Sequence, residues 1–301
     1  MISVIVCSHN PRREYIARTM EGLRRQNLDP SEWELVVVDN ASTSPLATFV
    51  DLTWHPQGRH IEEPQLGLTP ARLRGIRESS GDVLVFVDDD NVLDDTYLSN
   101  VRKIAGTHGF LGAWSGNVTG GFDQSPPEWT KRYWTLLVVR DVERDAWSNL
   151  YDDDRTTPLG AGLCVRRPVA AEYTRVHEEG LRPRQLDRAG SSLVSGGDND
   201  LSACALDLGF GCGVMTSLRL THLIPPERLS EDYLLRLVEN VTYSSGILRS
   251  FRAETRPAGP RKGLGHGVLT LIRKMRMTPR ERRFHAAAAR GAARAEAELR
   301  T

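Results

Sequence analysis

At 301 residues the chain can bury a sizeable core and hold one large domain or two intimately joined lobes. Its 39 Lys and Arg balance 39 Asp and Glu, and this zero net charge argues against general nucleic-acid binding by the whole molecule. No stretch approaches the ~20 apolar residues needed to span a bilayer.

The N-terminal MISVIVCSHNP has no basic leader and few apolar residues, so no signal peptide and a cytoplasmic protein are expected. SVIVC (3–7) is a short apolar run closed by the turn signal SHNP. Residues 12–26 carry helical spacing through Ile16, Met20 and Leu23. ELVVVD (34–39) reads as a second buried strand, with DNAST after it as a loop and helix cap. A short third strand is expected near Arg59–Glu63, then a helix from Pro70 to about Ser79, stopped by Gly81. VLVFV (83–87) is the next strand, and residues 94–106 the next helix. Continuously apolar strands alternating with helices imply an α/β fold, a Rossmann-like, mostly parallel sheet covered on both faces. Ligands of such sheets bind beyond the carboxyl ends of the strands. Three strands end there in polar residues: Ser8-His9-Asn10, Asp39-Asn40 and Asp88-Asp89-Asp90.

The run VLVFVDDDNVL (83–93) raises a physical question of its own. Side chains two apart on an extended segment lie roughly 6–7 Å from each other on one side. Two carboxylates at that range repel by about 2–3 kcal/mol at an effective dielectric near 20. At the mouth of a buried strand this asks for a cation. An EF-hand loop is excluded, because its sixth position would be Leu93 rather than glycine and no glutamate stands at its twelfth.

The middle third is less regular and rich in Gly and Trp (Trp114, Trp129, Trp134, Trp147). Residues 158–168 read as a strand followed by a helix from Pro168, and 195–211 as a Gly-rich loop and a helix starting near Asp198–Asn199. A strand through His222, a double-proline turn and a helix from about Ser230 to Arg252 follow. RPAGPRKGLGHG (256–267) is a linker, and 268–277 and 278–300 are basic helical candidates. From Arg256 to Thr301 twelve Lys/Arg stand against three Asp/Glu, a basic tail suited either to an anionic membrane surface or to solvent. The organisation expected is one domain over 1–225, with a nucleotide-binding half (1–110) and an acceptor half (111–225). A helical C-terminal region with the basic tail completes it (226–301). Cys7, Cys164, Cys204 and Cys212 are scattered without a CxxC pair and read as reduced core thiols.

This order of motifs resembles the inverting family-2 glycosyltransferases, which have the A-type glycosyltransferase fold. VIVCSHNPRREYIARTMEGLRRQ is similar to their opening strand and helix, LVVVDNAST to their nucleobase segment, and GLTPARLRGI to their GxxxARNxG-like helix. VFVDDD is similar to their metal-binding Asp-x-Asp, and SGGDNDL to their base-bearing GEDxDL loop. Two positions depart from the pattern: Leu73 stands for the usual asparagine, and Gly197-Asp198 for the usual Glu-Asp pair.

The resemblance implies transfer of a sugar, of hexosyl type, from a nucleoside-diphosphate sugar (UDP-sugar favoured) to a carbohydrate or lipid-linked acceptor hydroxyl. It implies Ser8, Asn10, Asp39, Arg72, Asp88 and Asp89 as contacts of the nucleotide sugar. A divalent cation, Mn or Mg, would fall to Asp90 with Asp88 and His222. Asp198 would be the general base that takes the acceptor proton, with Asp200 as runner-up. Bland readings stand beside these: a cap for Asp39, a solvated helix arginine for Arg72, an N-cap for Asp198 and a capped structural histidine for His222. Asp152-Asp153-Asp154 follows no apolar strand and reads as a solvated loop. The tryptophans suit either acceptor stacking or core packing. A glycoside hydrolase, a nucleotidyltransferase and a non-catalytic carbohydrate-binding protein are the competing classes.

Overall fold

The computed structural model describes residues 1–151, 153–182, 186–188, 193–252 and 277–300. Strands β1 (Ile2–Ser8), β2 (Trp33–Asp39), β3 (Gly58–Glu62) and β4 (Val83–Asp88) alternate with helices α1 (Arg13–Arg24), α2 (Leu68–Glu78) and, after β5 (Asn91–Leu93), α3 (Tyr97–Thr107). Successive strand residues point to opposite faces, and here both faces are apolar. Val4 and Val6 pack with Ile16 and Leu23 of α1 and with Leu98 and Val101 of α3. Ile5, Leu84 and Phe86 pack on the other face with Ala71 and Ile76 of α2. Each such fully buried side chain stabilises the fold by about 1.5–3 kcal/mol relative to exposure.

The remaining strands are β6 (Leu111–Phe122), β7 (Ala146–Ser148), β8 (Leu163–Arg166) and β9 (Gly211–Ile224). Helices α4 (Arg167–Glu178), α5 (Gly197–Asp207), α6 (Glu231–Ser250) and α7 (Pro279–Leu299) complete the elements of the described residues. The nine strands among these residues form one mixed sheet of order β3-β2-β1-β4-β8-β6-β9-β5, with β7 paired to β9. Pairing is parallel from β3 through β4 and between β6 and β9. Strands β5, β7 and β8 run antiparallel to their neighbours.

Two elements depart from the sequence expectation. The segment LGAWSGNVTGGF, expected only as part of a less regular, Gly- and Trp-rich stretch, forms the twelve-residue strand β6. Those glycines are packing requirements. A Cβ at Gly116 would stand 2.5 Å from that of Leu218, and the β6–β9 register shifts between Gly116 and Asn117. The strand carrying the aspartates also stops at Asp88, so Asp88 and Asp90 do not share one extended segment. A turn at Asp89–Asp90 leads into β5, which pairs Asn91 with His222.

The C-terminal helix is docked rather than free. Phe284 of α7 joins Leu234 and Leu237 of α6 in an apolar cluster and stacks on Tyr133 at 4.1 Å between ring centroids. Arg280 and Arg283 reach Glu231, and Arg290 reaches Glu239. Within the described residues the protein itself therefore matches much of the charge of this helix. The expected linker (256–267) lies outside the described residues, as does all of the 268–277 candidate but its last residue. All four cysteines are free; three are buried and Cys7 is partly so.

At the opposite edge of the sheet from the carboxyl ends, Glu34 is almost fully buried. It accepts hydrogen bonds from Ser3 (2.6 Å), the Ser80 amide (2.6 Å) and Arg59 (2.8 Å). Burial opposes ionisation, but these donors outweigh it and bring the carboxyl down to about 2. A depressed carboxylate contributes stability that is present above its ordinary value of 4.5 and lost as pH falls toward about 2. Glu34→Gln should therefore be less stable than wild type at neutral pH, and urea titrations should find the gap narrowing across that acidic window.

Candidate functional site

A cleft of about 280 Å³ opens beyond the carboxyl ends of β1, β2 and β4. Ser8 and His9 enter it from the end of β1, Asn40 from the end of β2, and Asp88, Asp89 and Asp90 from β4 and its turn. Arg72 comes from α2, Asp198 from α5 and His222 from β9. Asp187, Arg188 and Arg228, none of which the sequence reading singled out, complete its charged lining.

The three consecutive aspartates have separate surroundings. Burial raises Asp88 to about 7 and Asp89 to about 6, and in both cases the neighbouring charge of Asp90 adds to the effect. Ser8 donates its hydroxyl to Asp89. Burial also opposes ionisation of Asp90, but His222, Arg228 and Arg188 outweigh it and hold this carboxyl well below the usual range. Arg228 Nη1 lies 3.1 Å from Asp90 Oδ2 and 3.2 Å from His222 Nε2. His222 Nδ1 is 2.9 Å from the Leu137 carbonyl, which can only accept, so Nδ1 donates to it. Nε2 faces Asp90, 3.4 Å away. The β5–β9 pairing creates this neighbourhood by setting Asn91 opposite His222.

A second charged cluster forms around Asp198. It occupies the first turn of α5, where a carboxylate suits the helix dipole. It is not the N-cap, a position held by Gly196. Arg72 is only 2 % exposed and donates one nitrogen to Asp198 and another, at 3.1 Å, to Asp187. Asp187 also accepts from the Thr69 hydroxyl (2.9 Å) and the Gly197 amide (3.2 Å). Burial raises the Asp198 carboxyl, and Asp187 adds to the rise against the opposing pull of Arg72. A Cβ at Gly197 would collide with the Asp187 carboxylate, and one at Gly160 with that of Asp198. The acidic residue missing at 197 is thus matched by a carboxylate arriving from elsewhere in the chain.

Other residues singled out in the sequence stand away from the cleft or are otherwise engaged. Asp39 accepts the amides of Ser42 (3.0 Å) and Leu46 (2.8 Å), which organises the loop after β2. Asn40, its neighbour, is the residue that lines the cleft. Asn10 is exposed, takes a φ of 50° and accepts from Thr43. Asp200 accepts from Arg182 (2.8 Å) and Arg252 (2.9 Å) and is not part of the cleft lining, so the runner-up base is neutralised elsewhere. Arg72, expected at the nucleotide, lines the cleft and is held by two carboxylates. Trp114 is fully buried core, which rules out acceptor stacking. Asp153 pairs with Arg155 in a loop, and Asp152 lies outside the described residues.

The Gly197–Asp187 contact has a measurable consequence. Gly197→Ala should lose about 1–3 kcal/mol through overpacking. Asp187→Ala removes the obstruction, so urea unfolding of both single variants and the double variant should show less than additive losses.

The sequence profile of glycosyl transferase family 2 matches residues 3–163, from β1 to the start of β8. The glycosyltransferase AglE of Haloferax volcanii is 33% identical over 110 residues, a match covering 35% of this chain and 36% of that protein. The chain thus spans about a third of the length of this curated relative. Among solved structures, S. aureus TarS 1–349 superimposes with a TM-score of 0.53 at 16% identity, over 83% of this chain and 70% of that one. TarS 1–349 in complex with UDP superimposes with a TM-score of 0.53 at 17% identity, over 85% and 72%. The complex with UDP-GlcNAc gives 0.53 at 16% identity, over 83% and 71%. That likeness establishes the A-type glycosyltransferase fold, and with more than half its length matched by the profile, the chain belongs to glycosyl transferase family 2.

Proposed function

We propose that the protein is an inverting, metal-assisted glycosyltransferase that moves a sugar, of hexosyl type, from a nucleoside-diphosphate sugar to an acceptor hydroxyl. One observation carries this reading. A single cleft beyond a parallel sheet edge joins the Asp88–Asp90 turn and His222 to a second carboxylate, Asp198, whose Oδ2 accepts no hydrogen bond among the described residues. The UDP and UDP-GlcNAc complexes of TarS, which share the fold, favour a UDP-sugar as donor.

The donor set suits Mn or Mg: hard carboxylate oxygens and an imidazole whose Nε2 faces them. Among the described residues no group of three or more His, Cys, Asp or Glu forms a ready-made cage. A cation contacted by Asp90, His222 and Asp88 would therefore take most of its shell from phosphate and water. When bound, it would act as a Lewis acid for the departing diphosphate. Arg188 and Arg228 add guanidinium groups suited to phosphate oxygens. Among the described residues Arg188 makes no ion pair of its own. Asp198 takes the acceptor proton as the acceptor oxygen attacks the anomeric carbon, and a single displacement inverts the configuration there. A base serves best with its pKa near the working pH, the direction in which burial moves Asp198.

Thermal unfolding with UDP, GDP, dTDP and CMP, each with and without manganese, tests the reading on wild type and Asp90→Asn. A manganese-dependent rise for UDP, absent in the variant, is expected. Linkage predicts about 2.7 kcal/mol at a hundredfold excess over Kd. No rise with any nucleotide would sink the transferase reading in favour of a hydrolase or a binding protein. Cation binding must also displace protons from Asp88 and Asp89, which titrate near 7 and 6. Manganese affinity, followed by electron paramagnetic resonance, should therefore climb as pH rises through that range.

A further inference from the structure

Arg72 and Asp198 do not form the arrangement that an arginine and a carboxylate ordinarily prefer. An isolated pair tends toward two parallel hydrogen bonds, one to each carboxylate oxygen. Here only Nη2 reaches Asp198, at Oδ1, because Nη1 is taken by Asp187 at 3.1 Å. Asp187 is itself fixed from two helices. Thr69 of α2 donates its hydroxyl at 2.9 Å, and the first amide of α5, on Gly197, donates at 3.2 Å. The carboxylate fills the space that a side chain at 197 would need, and the bare Cα of Gly160 leaves room for Asp198 Oδ2, with which a Cβ there would collide. Thr69, Arg72 and Asp187 are all buried, whereas the Asp198 side chain keeps 24% exposure toward the cleft.

We propose, on the reading of Asp198 as the acceptor's base, that Asp187 is a positioning residue. It holds one edge of the Arg72 guanidinium, so that this cation engages a single oxygen of Asp198 and leaves Oδ2 for the acceptor hydroxyl. Without Asp187, Arg72 would swing into the two-oxygen pairing and cover both oxygens of the base. The acceptor proton would then have nowhere to go, and the excess positive charge would make Asp198 a weaker base. The charged groups facing Asp198 are Arg72 from α2, Asp187 and Arg188 from the segment before α5, and Asp88 from β4. Of these carboxylates, Asp187 alone is in direct contact with Arg72.

The test is a titration of the Asp198 carboxyl by carbon-13 NMR, assigned with Asp198→Asn, in wild type and in Asp187→Asn. Asparagine keeps the shape and an acceptor oxygen for Gly197, but it cannot hold Arg72 by charge. The midpoint of Asp198 should fall by about one pH unit. The acidic limb of kcat/KM for nucleotide release from a UDP-sugar should move the same way. Loss of the Asp187 charge lowers the Asp198 midpoint by itself, so the deciding reading is Gly197→Ala, which crowds the Asp187 carboxylate without changing any charge. It should shift both midpoints in the same direction, whereas a merely structural role would lower the active fraction and leave both midpoints of Gly197→Ala unmoved. An unmoved Asp198 midpoint in a folded variant of an active enzyme overturns the positioning role alone. A wild-type protein that turns over no nucleotide sugar overturns the transferase reading, and the role of Asp187 with it.

Discussion

The cleft depends on keeping several carboxylates ionisable and close together away from bulk water. Unpaired, such a cluster would carry desolvation penalties of several kcal/mol per charge and would neutralise by taking up protons. Three arginines limit that outcome, each in a different way. Arg72 is buried and shared between Asp187 and Asp198. Arg228 leans on Asp90 and His222. Arg188 lies among Asp89, Asp90 and Asp198 without pairing to any of them. The result is a graded site in which Asp90 is firmly ionised while Asp88 and Asp89 sit near neutrality.

The fold supplies this arrangement through its strand ends. Parallel strands β1, β2 and β4 bring Ser8, Asn40 and Asp88 to one edge, because apolar faces covered by helices fix their register. The β5–β9 pairing brings His222 to Asp90. The turn after β9 then places Arg228 in the cleft before the chain enters α6. Arg228 therefore lines the cleft from within the turn that leads to the C-terminal helices.

Most of the first third was legible in the sequence because buried parallel strands announce themselves as apolar runs between turn signals. The strand β6 was not, since Gly112, Gly116, Gly120 and Gly121 have low strand propensity and are present for close packing. Residues of the site that lie at strand ends, such as Asp88–Asp90 and His222, could be read from position alone. Asp187 and Arg188 could not, because LRPRQLDRAGSS has no periodicity and nothing local marks which of its charges turns inward. Arg228 carried a weak signal, a basic residue in the turn just after a strand-end histidine. For Asp39 and Asp200 the residue type was suggestive, yet their partners decided their roles: amides of the following loop for one, Arg182 and the more distant Arg252 for the other.

The matched pair of Gly197 and Asp187 bears on how such sites are recognised. A linear pattern that demands two adjacent acids before the helix would score this chain as missing one. In three dimensions the second carboxylate is present, approaching from ten residues upstream, and the glycine is the vacancy that admits it. Substitution at either position is therefore constrained by the other. Chains in which the helix opens on glycine are better searched for an upstream aspartate than set aside as inactive.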